Sequence, residues 1–347
     1  MKTIPVHAGV PYEVEVSAKL PEHLDESLHR LAPNAERFAV ISDKTVWSLY
    51  GSCLDAIAPL PLLLEAGEQS KSPQNYIWLL ERLAEAHFRR SDLILVLGGG
   101  VPGDLGGFAA ASYLRGVPFV QLPTTLLSMV DSSVGGKTAI DLAAGKNLAG
   151  AFYQPRRVFC CTDLLNTLPV DILRDGLAEV VKYAVLGDYG LFTQLEERGL
   201  EFDREDVVSR CIAAKARYVE ADEFDTGLRK MLNLGHTVAH GIEAESGYCI
   251  SHGKAVGIGL AVISRAAVKL GRLSAGDCER ILGLLRRLGL SVDSPYTAET
   301  LLPWLTSDKK WKAGKVELIV PTAVDHAEPV PVTAAELSEW LKAGCEE

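Results

Sequence analysis

Three groups of residues in this chain carry reactive side chains at informative spacings. His236-Thr-Val-Ala-His240 places two imidazoles one helical turn apart, on one face, and His252 follows after a Gly247-Tyr248 break. Three of the eight histidines thus fall within seventeen residues, which points to a metal site. Imidazole suits zinc, and an oxygen ligand can come from elsewhere in the chain. The metalloprotease pattern H-E-x-x-H is absent. His7, His23, His29, His87 and His326 are scattered and read as surface or structural.

Glu179 and Lys182 form the second group. They stand three residues apart in a helical pattern and so share a face. A surface ion pair is the plain reading. The flanking Leu177, Val180 and Val181 favour burial instead, and a buried acid and base require partners. Lys215, Arg229 and Asn233 lie on later helical segments, where each reads as a surface residue or as part of the same cleft.

The third group is ready for anions. The apolar run Leu93–Leu97 feeds Gly98-x-Gly100-x-x-Gly103-Asp104, the spacing of a dinucleotide fingerprint before a helix. Backbone N–H groups there can approach a pyrophosphate. Val134-Gly-Gly-Lys137-Thr138 ends like a phosphate loop, but Asp131 stands where such a loop needs its first glycine. Lys137 with Lys146 and Asn147 supports a phosphate pocket; a solvated lysine on a flexible turn is the alternative.

The elements that must position these groups alternate at first. Phe38–Ser42, Leu60–Leu64, Leu93–Leu97 and Phe119–Leu122 read as strands, with a helix entering near Ser72 and periodicity over Tyr76–Phe88. This predicts a mostly parallel sheet covered by helices, with ligands beyond the carboxyl ends of the strands. From about Asp163 long helices take over: Leu173–Leu186, Asp206–Ala221, Leu228–Glu245, Ala255–Leu270 and Ala275–Leu288. The expected architecture is an α/β Rossmann-like domain over residues 1–155 and an all-α domain over 156–347.

Composition narrows the function. The 347 residues suffice for two domains with large cores. A net charge of −10 argues against a non-specific nucleic-acid binder. No apolar run reaches the ~18–20 residues of a membrane helix, and the N-terminus lacks a signal-peptide core. A cytoplasmic protein is expected. Seven cysteines without a C-x-x-C pair argue against a disulfide framework or a cysteine zinc site.

Taken together, the motifs resemble the 3-dehydroquinate synthase family, which belongs to the shikimate pathway. Val130–Thr138, Gly150–Pro155 (GAFYQP) and Leu232–Thr237 (LNLGHT) carry the resemblance most specifically. The resemblance implies NAD and one divalent metal, zinc or alternatively cobalt. It implies Glu179, His236 and His252 as metal ligands. NAD contacts would come from Asp43, Glu68, Lys71, Gly99, Gly100, Asp104, Thr124, Thr125 and Thr167. Lys137, Asn147 and Lys310 would hold the substrate phosphate, with Arg115 reaching in from a second subunit of a homodimer. Lys215 and Arg229 would meet the substrate carboxylate, and Asn233 would contact substrate. Asp131, Lys146, Lys182, His240 and Asp225 would do the catalytic work around the hydroxyls and the leaving group.

The implied substrate is a small phosphorylated sugar acid, 3-deoxy-D-arabino-heptulosonate 7-phosphate. The implied reaction is transient oxidation, phosphate elimination, reduction, ring opening and aldol closure to 3-dehydroquinate. Two departures stand out. Asp225 replaces a glutamate found in many members, and Asp141-Leu-Ala-Ala144 replaces a stretch that begins Asn-His-Pro. The rival readings are a cyclase acting on a sugar phosphate without a carboxylate, a metal-dependent polyol dehydrogenase, and a catalytically silent binding protein. Lys215 and Arg229 oppose the first, the phosphate set opposes the second, and the intact ligand set opposes the third.

Overall fold

The computed structural model describes residues 1–55, 57–306 and 314–345. They form two compact units. Unit 1 comprises Met1–Leu168 and Ile212–Phe224, and unit 2 comprises Pro169–Cys211 and Asp225–Glu347.

Unit 1 begins with the hairpin β1 (Lys2–Val6) and β2 (Tyr12–Ser17), followed by α1 (Leu24–Leu31). Then come β3 (Phe38–Asp43), α2 (Lys44–Tyr50), β4 (Leu60–Leu64), α3 (Pro73–Glu85), β5 (Leu93–Gly98), α4 (Gly100–Ser112) and β6 (Phe119–Pro123). A second hairpin, β7 (Lys137–Leu142) and β8 (Gly145–Phe152), precedes β9 (Arg157–Cys161). Seven strands make one sheet in the order β1-β2-β9-β6-β5-β3-β4. Only β1 runs antiparallel to its neighbour. The interior strand β5 is buried along its whole length, as a parallel strand covered on both faces must be. Ile41, Val96, Leu105, Phe119 and Ile140 are among its core side chains.

Local chemistry sets the helix starts. Ser72 caps α3, accepting from the Asn75 N–H at 3.3 Å, with Pro73 in the first turn. Asp43 caps α2 through the Val46 N–H at 2.9 Å. Pro102 sits in the first turn of α4, where a missing N–H costs no helical bond. Gly106 and Gly107 let α4 lie flat: an added Cβ would come within 2.8 Å of Val96 and 2.5 Å of Thr138.

Unit 2 begins with α5 (Val170–Val185) and α6 (Tyr189–Arg198). Helix α7 (Arg204–Ala221) starts in unit 2 and ends in unit 1. Next come α8 (His236–Glu245), α9 (His252–Lys269), α10 (Ala275–Arg287) and α11 (Ala298–Thr306), then β10 (Lys315–Ala323), β11 (His326–Thr333) and α12 (Ala334–Cys345).

The structure differs from the sequence reading in three places. The boundary expected at 155/156 falls before β9, which pairs with both β2 and β6 and so belongs to the sheet of unit 1. The unit expected to be wholly helical also carries the antiparallel hairpin β10–β11. The expected helix Leu228–Glu245 is broken: Leu228–Asn233 is a 3₁₀ segment, and Gly235 at φ +78° ends it before α8. A residue in the left-handed region cannot continue an α-helix. Among the described residues no helix is long and apolar enough to cross a membrane.

No disulfide joins the seven cysteines, all of which are among the described residues. Cys160 and Cys161 lie on β9 in the core, and burial pushes the Cys161 thiol up to about 12. At pH 8 it stays protonated and hence unreactive, since the thiolate is the nucleophile. Cys53 and Cys249 are exposed. Titration of the native protein with a disulfide reagent at pH 8 will label Cys53 and Cys249 first. Cys160 and Cys161 will react only on unfolding, and rapid native labelling of either would contradict the placement of β9.

Candidate metal and nucleotide site

Unit 2 holds the metal-type cluster. Glu179 lies in the middle of α5 and is fully buried. The Nε2 atoms of His236 and His252 each lie 3.2 Å from the same oxygen, Glu179 Oε1. One ligand atom from each of the three residues can be chosen so that all lie within 4.8 Å of one another. Nδ1 of His236 is 3.1 Å from the Leu234 carbonyl, which can only accept, so Nδ1 carries the proton and Nε2 presents a lone pair. His252 Nδ1 faces the Glu243 carboxylate at 3.5 Å in the same way.

Three lone-pair donors aimed at one another require a positive charge among them. Burial opposes a charge on His252, but Glu179 and Glu243 outweigh it and push the imidazole up to about 10. Burial likewise opposes the Glu179 carboxylate, yet Lys182 and the two histidines hold it well below the usual carboxylate range. Burial pushes His236 below the usual imidazole value. A proton on His252 therefore stands where a cation fits, and metal binding must displace it. One carboxylate and two neutral imidazoles form a suitable donor set for a catalytic zinc, with positions left over for oxygen ligands.

Close backbone contact brings the three ligands together. A Cβ on Gly253 would lie 2.1 Å from the Asp175 carbonyl of α5. A Cβ on Gly259 would lie 2.1 Å from the Gly235 carbonyl, immediately before α8. These glycines let α9 touch the elements that carry Glu179 and His236. Asp175, one turn before Glu179, accepts from Ser251 Oγ at 2.7 Å and from the Lys254 N–H at 3.1 Å, which fixes the start of α9 and with it His252.

Lys182 is buried and ion-paired with Glu179 Oε2. The His240 ring stands edge-on to His236 with centroids 5.9 Å apart, outside the triad. The three clustered histidines thus divide: two join the triad and one flanks it. Arg229 is buried. Asp225, at φ +57°, and Asn233 line a cavity of about 360 Å³ with Lys230, Lys315 and Glu317. Lys310 lies outside the described residues, as do Asp308 and Lys309.

Unit 1 gathers the nucleotide-type residues at the carboxyl ends of its parallel strands. Asp43 ends β3, Glu68 and Lys71 follow β4, and Gly99, Gly100 and Asp104 follow β5. Thr124 and Thr125 follow β6, and Thr167 closes the 3₁₀ turn after β9, its hydroxyl bonded to Tyr50. Gly99 precedes α4 without a side-chain cap, leaving first-turn N–H groups for an anion. Thr124 Oγ1 is buried and finds no hydrogen-bond partner among the described residues. A buried hydroxyl of this kind fits a polar ligand group. Burial raises the carboxyls of Glu68 and Asp104, while nearby Lys71 opposes the shift in each.

The phosphate-type residues lie on the β7–β8 hairpin of the same unit. Lys137 and Asn147 are exposed, and Lys146 is 3.9 Å from Glu68. Lys71 Nζ donates to both Asp104 and Asn147. Lys215 is buried and donates to the Asp131 carbonyl at 2.6 Å, with the Asp131 carboxylate at 3.0 Å. Arg115 is exposed on a turn where Leu114, Arg115 and Gly116 all have positive φ.

Sequence reasoning missed Asp141, Asp175 and Glu243. Glu243 had a signal, since it stands seven residues after His236, on the same face of α8. Asp175 stands four before Glu179 on α5. Substituting Gly259 by Ala should force α8 and α9 apart. The expected cost is about 1–3 kcal/mol of stability, with zinc lost to a chelator more readily than from wild type. Unchanged denaturant unfolding together with unchanged zinc retention would show that this contact does not build the site.

The family model for the N-terminal part of 3-dehydroquinate synthase matches residues 61–175, and the C-terminal model matches 176–311. The 3-dehydroquinate synthase of Pelobacter propionicus is 45% identical over 319 residues, covering 87% of this chain and 88% of that protein. The enzyme of the same name from Caulobacter vibrioides is 40% identical over 348 residues, covering 94% of each. Among solved structures, the 2-epi-5-epi-valiolone synthase of Streptomyces hygroscopicus, with NAD+ and Zn2+ bound, superposes with a TM-score of 0.85 at 28% identity, covering 96% of each chain. The fold is thus shared with that synthase, and sequence identity makes the finer distinction. By both family models and by its relatives, this chain belongs to the 3-dehydroquinate synthase family.

Proposed function

We propose that this chain, as a working 3-dehydroquinate synthase, divides the reaction among its residues as follows. It converts 3-deoxy-D-arabino-heptulosonate 7-phosphate to 3-dehydroquinate and phosphate. The observation that carries the reading is the convergence of Glu179, His236 and His252, three groups that could hold a metal ion, inside a chain of this family. Those three residues would hold zinc, with cobalt the alternative. Asp43, Glu68, Lys71, Gly99, Gly100, Asp104, Thr124, Thr125 and Thr167 would hold NAD. When bound, NAD supplies a reversible hydride acceptor, and the metal polarises the carbinol oxygen.

The chain's own residues do the rest. Lys137 and Asn147, both exposed on the hairpin, bind the substrate phosphate, a role shared with Lys310. Lys215 and Arg229 meet the carboxylate, and Asn233 orients the hydroxyls. Lys182, buried against Glu179, and His240, one turn beyond His236, hold protons near the reacting oxygens. Asp131 sets the position of the Lys215 ammonium. Lys146 serves the leaving group. Asp225 stands in for a longer acid, with a shorter reach toward the same proton. Arg115, on its strained exposed turn, is the residue offered to a second subunit, so the working form is a homodimer in the cytoplasm. A cyclase acting on a sugar phosphate without a carboxylate is disfavoured by Lys215 and Arg229, two buried cations suited to a substrate carboxylate.

Phosphate release from the heptulosonate phosphate, with NAD and zinc, is the first test, beside a glucose 6-phosphate control. Phosphate and dehydroquinate should form in equal amounts without net NADH. Turnover of glucose 6-phosphate alone would move the chain to the other cyclases. Lys215→Ala and Arg229→Ala should each lower kcat/KM about 30-fold or more, with NAD affinity nearly unchanged; equal losses in both would remove the carboxylate assignment. His252→Ala should abolish activity and zinc retention while the fold persists, and a zinc-loaded, active variant would take His252 out of the site.

A further inference from the structure

The β7–β8 hairpin is irregular where Asn147 sits. Ile140 pairs with Ala149 and Leu142 with Gly145, so Asp141 alone opposes the three residues 146–148. Such a bulge interrupts the ladder and re-aims side chains. Asn147 adopts φ +56°, the left-handed region that asparagine tolerates better than most residues. The Asp141 carboxylate takes up the N–H in the bulge: Asn147 N donates to Asp141 Oδ1 at 2.8 Å.

The contacts close into a ring. Asp141 N donates to the Lys71 carbonyl at 2.8 Å, and Lys71 Nζ donates to Asn147 Oδ1. Lys71 also donates to Asp104 on α4. The tip of the hairpin is thereby tied to the turn after β4 and to α4, all within unit 1.

We propose that Asp141 is a positioning residue for the phosphate end of the substrate: its carboxylate holds Asn147 in the left-handed bulge and aims the hairpin. The proposal rests on the reading of Lys137 and Asn147 as phosphate ligands. Asp141→Ala removes the acceptor for Asn147 and also the carboxylate charge felt by Glu68, Lys71 and Asp104, while the backbone donation to Lys71 survives in any residue but proline. Asp141→Asn keeps an oxygen of the same reach.

The test uses the zinc- and NAD-loaded enzyme, with KM and kcat for the heptulosonate phosphate and inhibition by inorganic phosphate. Asp141→Ala should raise both KM and the phosphate inhibition constant roughly ten-fold or more. Its kcat and its affinity for NAD should stay within about three-fold of wild type, and Asp141→Asn should recover wild-type constants to the same margin. If Ala does not accumulate, Asp141→Ser, too short to reach the Asn147 N–H, is read by the same constants with the same expectation. Wild-type constants in the Ala or Ser variant would overturn the proposal, as would an Asn variant as impaired as Ala. So would a fall in NAD affinity equal to the loss at the phosphate end. In these cases wild-type turnover leaves the phosphate reading standing. A wild-type enzyme indifferent to inorganic phosphate would instead sink the reading of Lys137 and Asn147, and this proposal with it.

Discussion

The buried carboxylate of Glu179 is the constraint on which unit 2 depends. A fully buried charge is costly unless it is paired, and here it faces Lys182 and two imidazoles. All the surrounding geometry serves that pairing. Asp175 ties the start of α9 to α5, while Gly253 and Gly259 let α9 approach its neighbours at backbone distance. The apolar packing of α5 and α9 leaves Glu179 and His252 little freedom to drift, because interiors are packed too densely for independent adjustment. The same burial that makes the charge costly makes a bound cation effective, since little water screens it.

Unit 1 solves a different problem. Its nucleotide-type residues follow the ends of β3, β4, β5, β6 and β9 and so share one edge of a parallel sheet. Parallel pairing does this without further design, because every crossover returns the chain to the same end. The hairpin β7–β8 is the exception, since it lies outside the seven-stranded sheet. Its alignment comes from polar contacts, the ring of Lys71, Asp141 and Asn147, and from packing on α4, where Thr138 meets Gly107.

Much of this was legible in the sequence. The Leu93–Leu97 run before a glycine-rich turn reads as a strand entering a helix, and so it is. The histidine cluster announced a metal site, but its spacing pointed equally to His240. Helical periodicity places His236 and His240 on one face without saying which element crosses that face. The crossing element is α9, and it brings His252 instead. The break at Gly235 was illegible for a related reason: glycine within a helical pattern reads as a weak helical residue. Gly235 adopts a left-handed φ, and a Cβ there would also lie 3.0 Å from the Val256 carbonyl and the Leu260 N–H of another helix.

Sequence by itself determined the elements and the chemistry available to them, because periodicity, capping and residue type act over a few neighbouring positions. It placed the parallel sheet, the phosphate-type hairpin residues and the family. Only the tertiary structure decided which groups meet. That Glu179 shares one oxygen between two imidazoles, that Glu243 backs His252, and that Asp141 takes the N–H of Asn147 are consequences of helix crossings and a strand bulge. Contacts of that kind depend on backbone separations of a few ångströms between segments remote in the chain. No local pattern encodes such separations.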